Sequence, residues 1–209
     1  MAATSRTKAS EARRREILLG ALDCFAISGV AATTIEDIRA RSEASVGSIY
    51  HHFGSKENLA RTLYMDELRD YQAGFLRELK RHENAESGIR AVVAYHLTWV
   101  RRDAKRARYL LTTREADFMT EAEDAVQEMN RRFSEEIAAW RQPHIETGAI
   151  LRLPADLYTP LLVGALHQFS RQWLAGRATS TMTEAQSVLA EAVWRTLKGS
   201  DSVSERGRR

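Results

Sequence analysis

The sequence predicts an all-α protein with about nine helices, and three observations lead to this fold class. Apolar residues recur at intervals of three and four positions along most of the chain. Its 209 residues include only three prolines and eleven glycines, which are too few to separate many short strands. No stretch shows the alternation of a half-buried strand. We therefore expect long helices around a substantial hydrophobic core.

Composition favours a globular protein of the cytoplasm. Apolar residues make up 44% and charged residues 28% of the chain, as in ordinary soluble domains. The single cysteine, Cys24, cannot form an internal disulfide, and we expect it to act as a small buried hydrophobe. The N-terminus is polar and basic rather than apolar like a secretory signal, and no apolar run has the length of a membrane span.

The net charge of +3 is unevenly distributed along the chain. Basic residues cluster at 6–15, 101–108 and 206–209. Such clusters suit a polyanionic partner, but a charge run is also common on a solvated helix face. Charge by itself therefore does not identify a partner.

The N-terminal part of the chain begins with one predicted helix. After ten small and polar residues, which we expect to be frayed, apolar residues follow helical spacing from Ile17 to Phe25. Gly29 is expected to end this helix in a left-handed conformation. Thr33 or Thr34 can then cap a short helix through a capping box.

A second short helix follows after a break that contains no proline. Ser45 is expected to be its N-cap, with Ala44 and Ile49 packed inside. Two short helices joined by a tight turn after a longer helix form a helix-turn-helix, in which the second helix is exposed on one face. Small residues at its start let the backbone approach base edges and phosphates, and its free N–H groups attract an anion. The arrangement predicts DNA binding.

Six more helices are predicted in the rest of the chain. A long amphipathic helix extends from Ser55 to about residue 81. Further helices are predicted over 89–100, around 109–111, over 119–140, over 156–176 and from a capping box at Thr183 to Leu197. Residues 142–154 contain two prolines and a glycine and are interpreted as a connection.

These blocks resemble the TetR family of bacterial regulators. The resemblance lies in Ile17-Leu18 with Phe25 and Gly29, in TTIEDI at 33–38, in SVGSIYHHF at 45–53 and in SKENL at 55–59. The region of resemblance covers about a quarter of the chain, and the spacing between the blocks also fits the family. The stretch LLVGALHQFSRQWLAGR at 161–177 matches the family less specifically.

Three positions depart from the family pattern. Glu43 stands where the family usually has Gly, and Ala44 stands where it usually has Val. A non-glycine residue in a left-handed turn costs about 1 kcal/mol, so either Glu43 is strained or the turn geometry differs. Arg39 stands where the family usually has Ala, and it is either a solvated side chain or an added phosphate contact.

The resemblance implies a set of DNA contacts. The implied DNA-binding residues are Thr33, Thr34, Ser45, Val46, Gly47, Ser48, Tyr50, His51 and Lys56. Ser45, Val46 and Ser48 would face base edges, whereas Lys56 and one of the threonines would bind phosphates. The alternatives are capping alone for the threonines, packing against the first helix for Tyr50 and a solvated charge for Lys56.

The resemblance also implies two functional domains and a disordered tail. Residues 1–54 would form the helix-turn-helix DNA-binding domain, residues 55–200 the helical effector-binding and dimerisation domain, and residues 201–209 the tail. Because a palindromic operator matches a two-fold dimer, the protein would act as a homodimer. The implied interface residues in the last two helices are Leu161, Leu162, Leu166, Phe169, Trp173, Val188, Leu189 and Val193. Their alternative role is intramolecular core.

A ligand pocket is implied among the helices of residues 56–142. The candidate lining residues are Tyr64, Tyr71, Phe75, Tyr95, His96, Trp99, Phe118, Met119 and Trp140. Aromatic residues with a few polar tips suit an apolar or aromatic ligand, and His96 and Arg102 are candidates to meet an anionic group on it. The alternative for each of them is ordinary core.

We therefore expect a ligand-responsive transcriptional repressor that leaves its operator when a small-molecule effector binds. The alternative is a DNA-binding protein of the same fold without a small ligand, either partner-controlled or architectural. An enzyme is not expected, because the sequence shows no zinc-protease, phosphate-loop, nucleophile-elbow or Cys-His pattern. No cofactor is expected, and His51 and His52 do not predict a metal site, because adjacent helical side chains point about 100° apart.

Overall fold

The computed structural model describes the backbone of residues 2–113 and 117–199 and the side chains of residues 7–113 and 119–199. Over these residues the protein is all-α, as the sequence predicts, with nine α-helices and a short 3₁₀ helix at Asp117–Ala122. The α-helices are α1 (Ala2–Ala32), α2 (Ile35–Ser42), α3 (Val46–Phe53), α4 (Lys56–Lys80), α5 (Ala85–Arg102), α6 (Ala104–Thr113), α7 (Glu123–Glu146), α8 (Ala155–Leu174) and α9 (Met182–Leu197). The predicted tail at 201–209 lies outside the described residues.

The first helix is longer than the sequence predicts. The expectation that the first ten residues are frayed is wrong for residues 2–10, because α1 begins at Ala2. That segment contains no glycine or proline that would stop a helix, and its alanines favour one. Gly29 interrupts α1 near the predicted end, with φ 77° and ψ 163°. This ψ lies outside the left-handed helical region, in a conformation open essentially only to glycine.

Contacts within the chain define two compact units. The first comprises Met1–Arg69 and Asp103–Val126, and the second comprises Asp70–Arg102 and Gln127–Arg209. The domains predicted at 1–54 and 55–200 are continuous segments, whereas each unit is made of two segments that are separate in sequence. The first unit therefore contains α6 and the start of α4 together with the three N-terminal helices.

In the first unit, α6 supports the N-terminal helices. The Tyr109 ring of α6 stacks on the Phe25 ring of α1 with centroids 5.9 Å apart, and its hydroxyl donates to the Ala60 carbonyl oxygen of α4 at 2.7 Å. Asp23 of α1 accepts from Lys105 Nζ of α6 at 2.5 Å and from Arg41 Nε of α2 at 2.9 Å. These contacts join α1, α2, α4 and α6 into one support for α3.

In the second unit, α5 packs against α8 and α9. Its buried side chains, which recur at helical spacing, include Ile89, Val92, Val93, Leu97 and Val100. At the edge of this core, the Arg90 guanidinium bridges Glu86 at 2.7 Å and Glu191 of α9 at 2.5 Å. The helix is therefore held by a continuous apolar face and an ion-pair network at its margin.

Three details of the C-terminal helices differ from the prediction. The connection predicted at 142–154 begins later, because α7 continues through Pro143 to Glu146. Met119 belongs to the 3₁₀ helix rather than to α7. The last helix is capped by Thr181 instead of Thr183, since the Glu184 N–H donates to Thr181 Oγ1 at 3.2 Å and the Thr181 N–H donates to the Glu184 carboxylate at 2.7 Å.

One short backbone pairing joins two segments of the second unit. Ile150 and Lys198 form an isolated antiparallel bridge, beside which the Leu151 N–H donates to the Leu197 carbonyl oxygen at 2.8 Å. This pairing ties the connection before α8 to the end of α9.

No helix in the described ranges is long and apolar enough to cross a membrane.

Candidate nucleic-acid interface

The turn that leads into α2 places two neighbouring threonines in different environments. Thr34 is the N-cap: its Oγ1 accepts from the Asp37 N–H at 3.1 Å, and its own N–H donates to the Asp37 carboxylate at 2.8 Å. Hydrogen bonds from the Thr34 hydroxyl and N–H hold the pKa of the Asp37 carboxyl below its usual value. Thr33 instead donates its hydroxyl to the Gly29 carbonyl oxygen at 2.7 Å and is only 2% exposed. We therefore leave Thr33 out of the proposed DNA contacts.

Lys56, at the start of α4, is tied to the same turn. Its Nζ donates to the carbonyl oxygens of Thr33 at 2.8 Å and Ala31 at 3.3 Å. The ammonium group therefore holds the first residue of α4 against the segment that enters α2. These bonds occupy two of its three donors, so a phosphate contact stays a prediction for the third.

The turn between α2 and α3 has the geometry that the family's glycine would provide. Glu43 has φ 54° and ψ 19°, a left-handed helical conformation, and it is the only non-glycine residue with positive φ among the described residues. Of the two alternatives for Glu43, the structure therefore supports strain rather than a different turn. Arg13 Nη1 donates to its carbonyl oxygen at 3.5 Å, and Ala44 is buried directly after it.

We expect Glu43→Gly to raise the free energy of unfolding by about 1 kcal/mol, because glycine adopts a left-handed conformation without steric conflict. Glu43→Ala is the matched control, since it removes the same carboxylate but keeps a Cβ in the strained conformation. Urea denaturation followed by circular dichroism measures both variants. Equal stability of the glycine and alanine variants would contradict the strain.

The short helix α3 is fixed at its start by Ser45 and at its base by two buried side chains. Ser45 is the N-cap, as predicted, and its Oγ accepts from the Ser48 N–H at 3.1 Å. Ile49 and Phe53 are buried against the rest of the unit. The residues that face solvent at the start and along the outer side of α3 are Ser45, Val46, Gly47, Tyr50 and His51. Ser48 is partly buried.

The outer side of α3 is unusually apolar for a solvent-exposed surface. Val46 is 36% exposed and Tyr50 is 49% exposed. A Cβ added at Gly47 would meet no atom within 4 Å, so the fold does not require glycine there. Exposed apolar side chains, and a glycine that the fold does not need, are features expected of a helix face that contacts another molecule closely.

Basic residues of α1 flank α3 at both of its ends. Arg13 reaches the turn before α3 through the Glu43 carbonyl oxygen, and the Arg14 guanidinium lies over the Phe53 ring, 5.6 Å from its centroid. Sequence reasoning did not assign these two residues to the site. The basic cluster at 6–15 was the available signal, but spacing alone did not show that it runs beside α3.

The structure bears on two questions that the sequence raised, the role of Arg39 and a metal site at His51 and His52. Arg39 Nε donates to the Glu36 carboxylate at 2.6 Å on the exposed surface of α2. This ion pair raises the pKa of Arg39. The rings of His51 and His52 have centroids 5.4 Å apart, and no group of three or more side chains suited to a metal ion occurs among the described residues.

Five of the predicted pocket residues form an aromatic cluster in the second unit. They are Tyr71, Phe75, Tyr95, His96 and Trp99. The Tyr71 ring is central, with centroids 4.7 Å from Trp99 and 5.8 Å from both Tyr95 and His96. The cluster rings therefore contact one another closely, and Tyr95 and Trp99 also line a surface groove.

A buried polar network passes through this cluster. His96 Nδ1 lies 2.8 Å from the Tyr71 hydroxyl, and His96 Nε2 lies 2.9 Å from the Ser170 hydroxyl. Burial, and next the charge of nearby His167, lower the pKa of His96 to about 3. Desolvation raises the pKa of Tyr71. The network is therefore neutral at physiological pH, and it joins α4, α5 and α8 through one satisfied set of donors and acceptors.

The other predicted pocket residues lie elsewhere. Tyr64 and Met119 are buried in the first unit, where the Tyr64 ring packs edgewise on Tyr109 with centroids 6.5 Å apart. Trp140 lies on α7, and its Nε1 donates to the His82 carbonyl oxygen at 3.0 Å. The Phe118 side chain lies outside the described residues. The structure therefore does not bring the whole predicted set around one cavity within either unit.

The predicted interface residues on α8 and α9 differ in exposure. Leu162, Leu166 and Val193 are buried within the second unit, whereas Phe169, Trp173 and Leu189 are partly buried. Leu161 is 36% exposed and Val188 is 67% exposed. The exposed members are those available for contact with a second chain, and dimerisation through them stays a prediction.

The N-terminal region matches a known family and several curated proteins. Residues 17–63 match the family model described as bacterial regulatory proteins, tetR family. Over 46 residues the chain is 48% identical to the HTH-type transcriptional repressor AcnR of Corynebacterium glutamicum. This aligned segment covers 22% of this chain and 24% of AcnR. Over 85 residues it is 39% identical to the HTH-type transcriptional repressor KstR2 of Rhodococcus jostii. This second segment covers 40% of this chain and 38% of KstR2. The chain thus spans between about a quarter and two fifths of these relatives' length.

Solved structures resemble the fold over most of the chain. A TetR family transcription regulator from Marinobacter aquaeolei VT8 has a TM-score of 0.79 at 16% identity, covering 93% of this chain and all of that one. The transcriptional regulator FadR from Bacillus subtilis, solved in complex with stearoyl-CoA, has a TM-score of 0.75 at 16% identity, covering 86% of this chain and 96% of that one. At such low identity the likeness concerns the fold alone.

Proposed function

We propose that this chain, whose residues 17–63 match the model of the tetR family of bacterial regulatory proteins, is a transcriptional repressor. We propose further that it binds a palindromic operator as a homodimer and is released by a small-molecule effector. The observation that carries the proposal is the outer face of α3, an exposed and partly apolar surface on a rigid helix-turn-helix. The repressors AcnR and KstR2 share this region of sequence and support the regulatory role.

In the proposed complex, α3 enters the major groove with its N-terminal end towards the bases. Val46, Gly47 and Tyr50 would contact base edges and sugars, while the N–H groups after Ser45 would bind a phosphate. Thr34 and Lys56 are proposed phosphate contacts beside it. Phosphate contacts supply most of the affinity and its dependence on salt, whereas the few base contacts select the sequence.

The effector would act through α4. This helix is continuous from Lys56 in the first unit to Lys80 in the second, so a displacement at one end can be transmitted to the other. Two recognition helices must lie about 34–36 Å apart to bind successive major grooves. An effector that prefers a conformation with a different spacing would therefore favour release, provided its affinity differs between the two states.

Gly47→Ala tests the α3 assignment directly. We expect the variant to bind the DNA upstream of its own coding sequence at least tenfold more weakly, because the added methyl group stands on the surface proposed to contact bases. Its fold should be about 1 kcal/mol more stable, since glycine is a poor helix former and the position is open. Fluorescence anisotropy at several salt concentrations measures the affinity and the salt slope.

Glu43→Gly is the matched control for this experiment, because it should also stabilise the fold but leaves the outer face of α3 intact. It is expected not to weaken DNA binding. If Gly47→Ala binds DNA as tightly as the unmodified chain, the α3 interface is wrong. If the unmodified chain ignores duplex DNA at low ionic strength, the proposed function is wrong.

Val188→Glu tests the proposed dimer. Val188 on α9 is 67% exposed, and a buried unpaired carboxylate at an interface would strongly disfavour association. We expect the variant to be monomeric and the unmodified chain to be dimeric by light scattering coupled to size-exclusion chromatography. Ile27→Glu is the control, since Ile27 is 76% exposed on α1, outside the proposed interface. A dimeric Val188→Glu variant would remove α9 from the interface.

A further inference from the structure

The exposed side of α3 contains a small apolar recess. Tyr50 follows Val46 by four positions and Gly47 by three, so it is a neighbour of both on the helix surface. Val46 is 36% exposed and Tyr50 is 49% exposed, and nothing lies within 4 Å of a Cβ added at Gly47. Because Gly47 has no side chain, the surface is indented beside these two larger groups. We call this indentation the α3 recess.

The residue types that read bases through paired hydrogen bonds are absent from this helix. Arg and Lys recognise guanine in this way, and Asn and Gln recognise adenine. The segment SVGSIYHHF at 45–53 contains none of these four residue types. Its exposed hydrogen-bonding side chains are Ser45, Tyr50 and His51, none of which presents the two parallel hydrogen bonds of an amide or a guanidinium.

The long basic side chains of α2 and of the start of α4 are held by other groups of the protein. Arg39 Nε donates to the Glu36 carboxylate at 2.6 Å, and Arg41 Nε donates to the Asp23 carboxylate at 2.9 Å. Lys56 Nζ is bonded to two carbonyl oxygens of the turn before α2. These side chains are anchored to the protein, so the selection of bases falls to the exposed side of α3.

In the major groove of unmodified DNA, the methyl group that a base pair presents is the 5-methyl group of thymine. We propose that the α3 recess receives the 5-methyl group of a thymine in each operator half-site, an inference that rests on the proposed function and names the base it selects. Val46 and Tyr50 would contact the methyl group, while Gly47 lets it approach the helix backbone. The contact removes apolar surface of both molecules from water, and it is lost when another base stands at that position.

The thymine contact can be tested by removing the methyl group alone. The full-length chain selects its preferred sequence from a library of random DNA duplexes. Each thymine of one selected half-site is then replaced by deoxyuridine, which pairs with adenine in the same way but lacks the methyl group. We expect one such replacement to weaken binding about fourfold in fluorescence anisotropy, the factor that burial of one methyl-sized group provides.

Three variants, each measured with the thymine and the uracil probe, locate the contact on the protein. Val46→Ala removes two methyl groups beside the recess and should reduce the preference for thymine to about twofold or less. Gly47→Ala fills the recess and should prefer uracil, because loss of the thymine methyl group makes room for the added one. Ile27→Ala is the matched control, since it shortens another exposed aliphatic side chain, on α1, and should keep the full preference.

Uracil bound as tightly as thymine at every position, or a half-site selected without thymine, would overturn the proposal. An unchanged preference in both Val46→Ala and Gly47→Ala would also overturn it, because the methyl group would then act at another place or through the shape of the DNA. A chain that selects no sequence would overturn the proposed function and this inference together. A chain that selects a sequence but ignores the methyl group overturns this inference alone.

Discussion

Replacing Gly88 by alanine is expected to lower the free energy of unfolding by about 2–3 kcal/mol, because overpacking a filled site forces neighbouring groups to move. A Cβ at Gly88 would lie 2.3 Å from Cζ2 of Trp140. The indole cannot easily retreat, since its Nε1 is bonded to the His82 carbonyl oxygen and its ring lies edgewise on His144, with centroids 4.5 Å apart.

The comparison with other helical glycines makes this prediction specific. Gly74→Ala should behave like Gly88→Ala, because its Cβ would lie 2.0 Å from the Tyr95 hydroxyl oxygen. Gly47→Ala should instead stabilise the fold, since no atom lies within 4 Å of its added Cβ. Urea denaturation of the three variants measures the difference. A Gly88→Ala variant as stable as the unmodified chain would show that Trp140 does not pack closely on α5.

Acidification is expected to destabilise the protein through His96. Its pKa is about 3 in the folded chain and about 6.5 when exposed, so between these values the unfolded chain binds the additional proton. The contribution of neutral, buried His96 to the free energy of unfolding is therefore fully present above pH 6.5. This contribution is lost as the pH falls from 6.5 towards 3. The loss attributable to His96 should reach about 2 kcal/mol at pH 5, from the usual 1.4 kcal/mol per pH unit.

His96→Gln isolates this effect, because glutamine can bond to Tyr71 and Ser170 without titrating. The unfolding free energies of the variant and the unmodified chain are compared by urea denaturation at pH 5, 6 and 7, and their difference should narrow as the pH falls. His144 and His167, whose pKa values are also lowered by burial, contribute in the same direction to both proteins. A pH-independent difference, or an NMR titration of the His96 ring above pH 5, would contradict the assignment.

The helices were predictable where local signals decide them. Gly29, Thr34 and Ser45 mark breaks and caps through interactions with residues only three or four positions away. The same local logic was ambiguous where two signals competed. Thr183 was predicted as the last N-cap, but Thr181 pairs with Glu184, and Pro143 did not end α7.

The candidate interface was predictable in outline and not in its detailed roles. The pattern around Ser45 predicted a short helix with Ile49 inside, and the structure confirms this placement. It did not reveal that Lys56 binds the Thr33 carbonyl oxygen 23 positions earlier. Nor did it reveal that Arg14 lies over Phe53. Such contacts join helices that are separate in sequence.

By itself, the sequence determined the all-α class, the order of the helices and the helix-turn-helix, because these depend on periodicity and on caps within a few residues. Tertiary structure alone decided which aromatic residues pack together and which of them line a surface groove. It also decided which glycines are indispensable: Gly88 depends on Trp140, whose indole is itself held by a carbonyl oxygen 58 positions away in sequence. Burial is a property of the packed helices, and helical periodicity specifies a face without specifying what covers it.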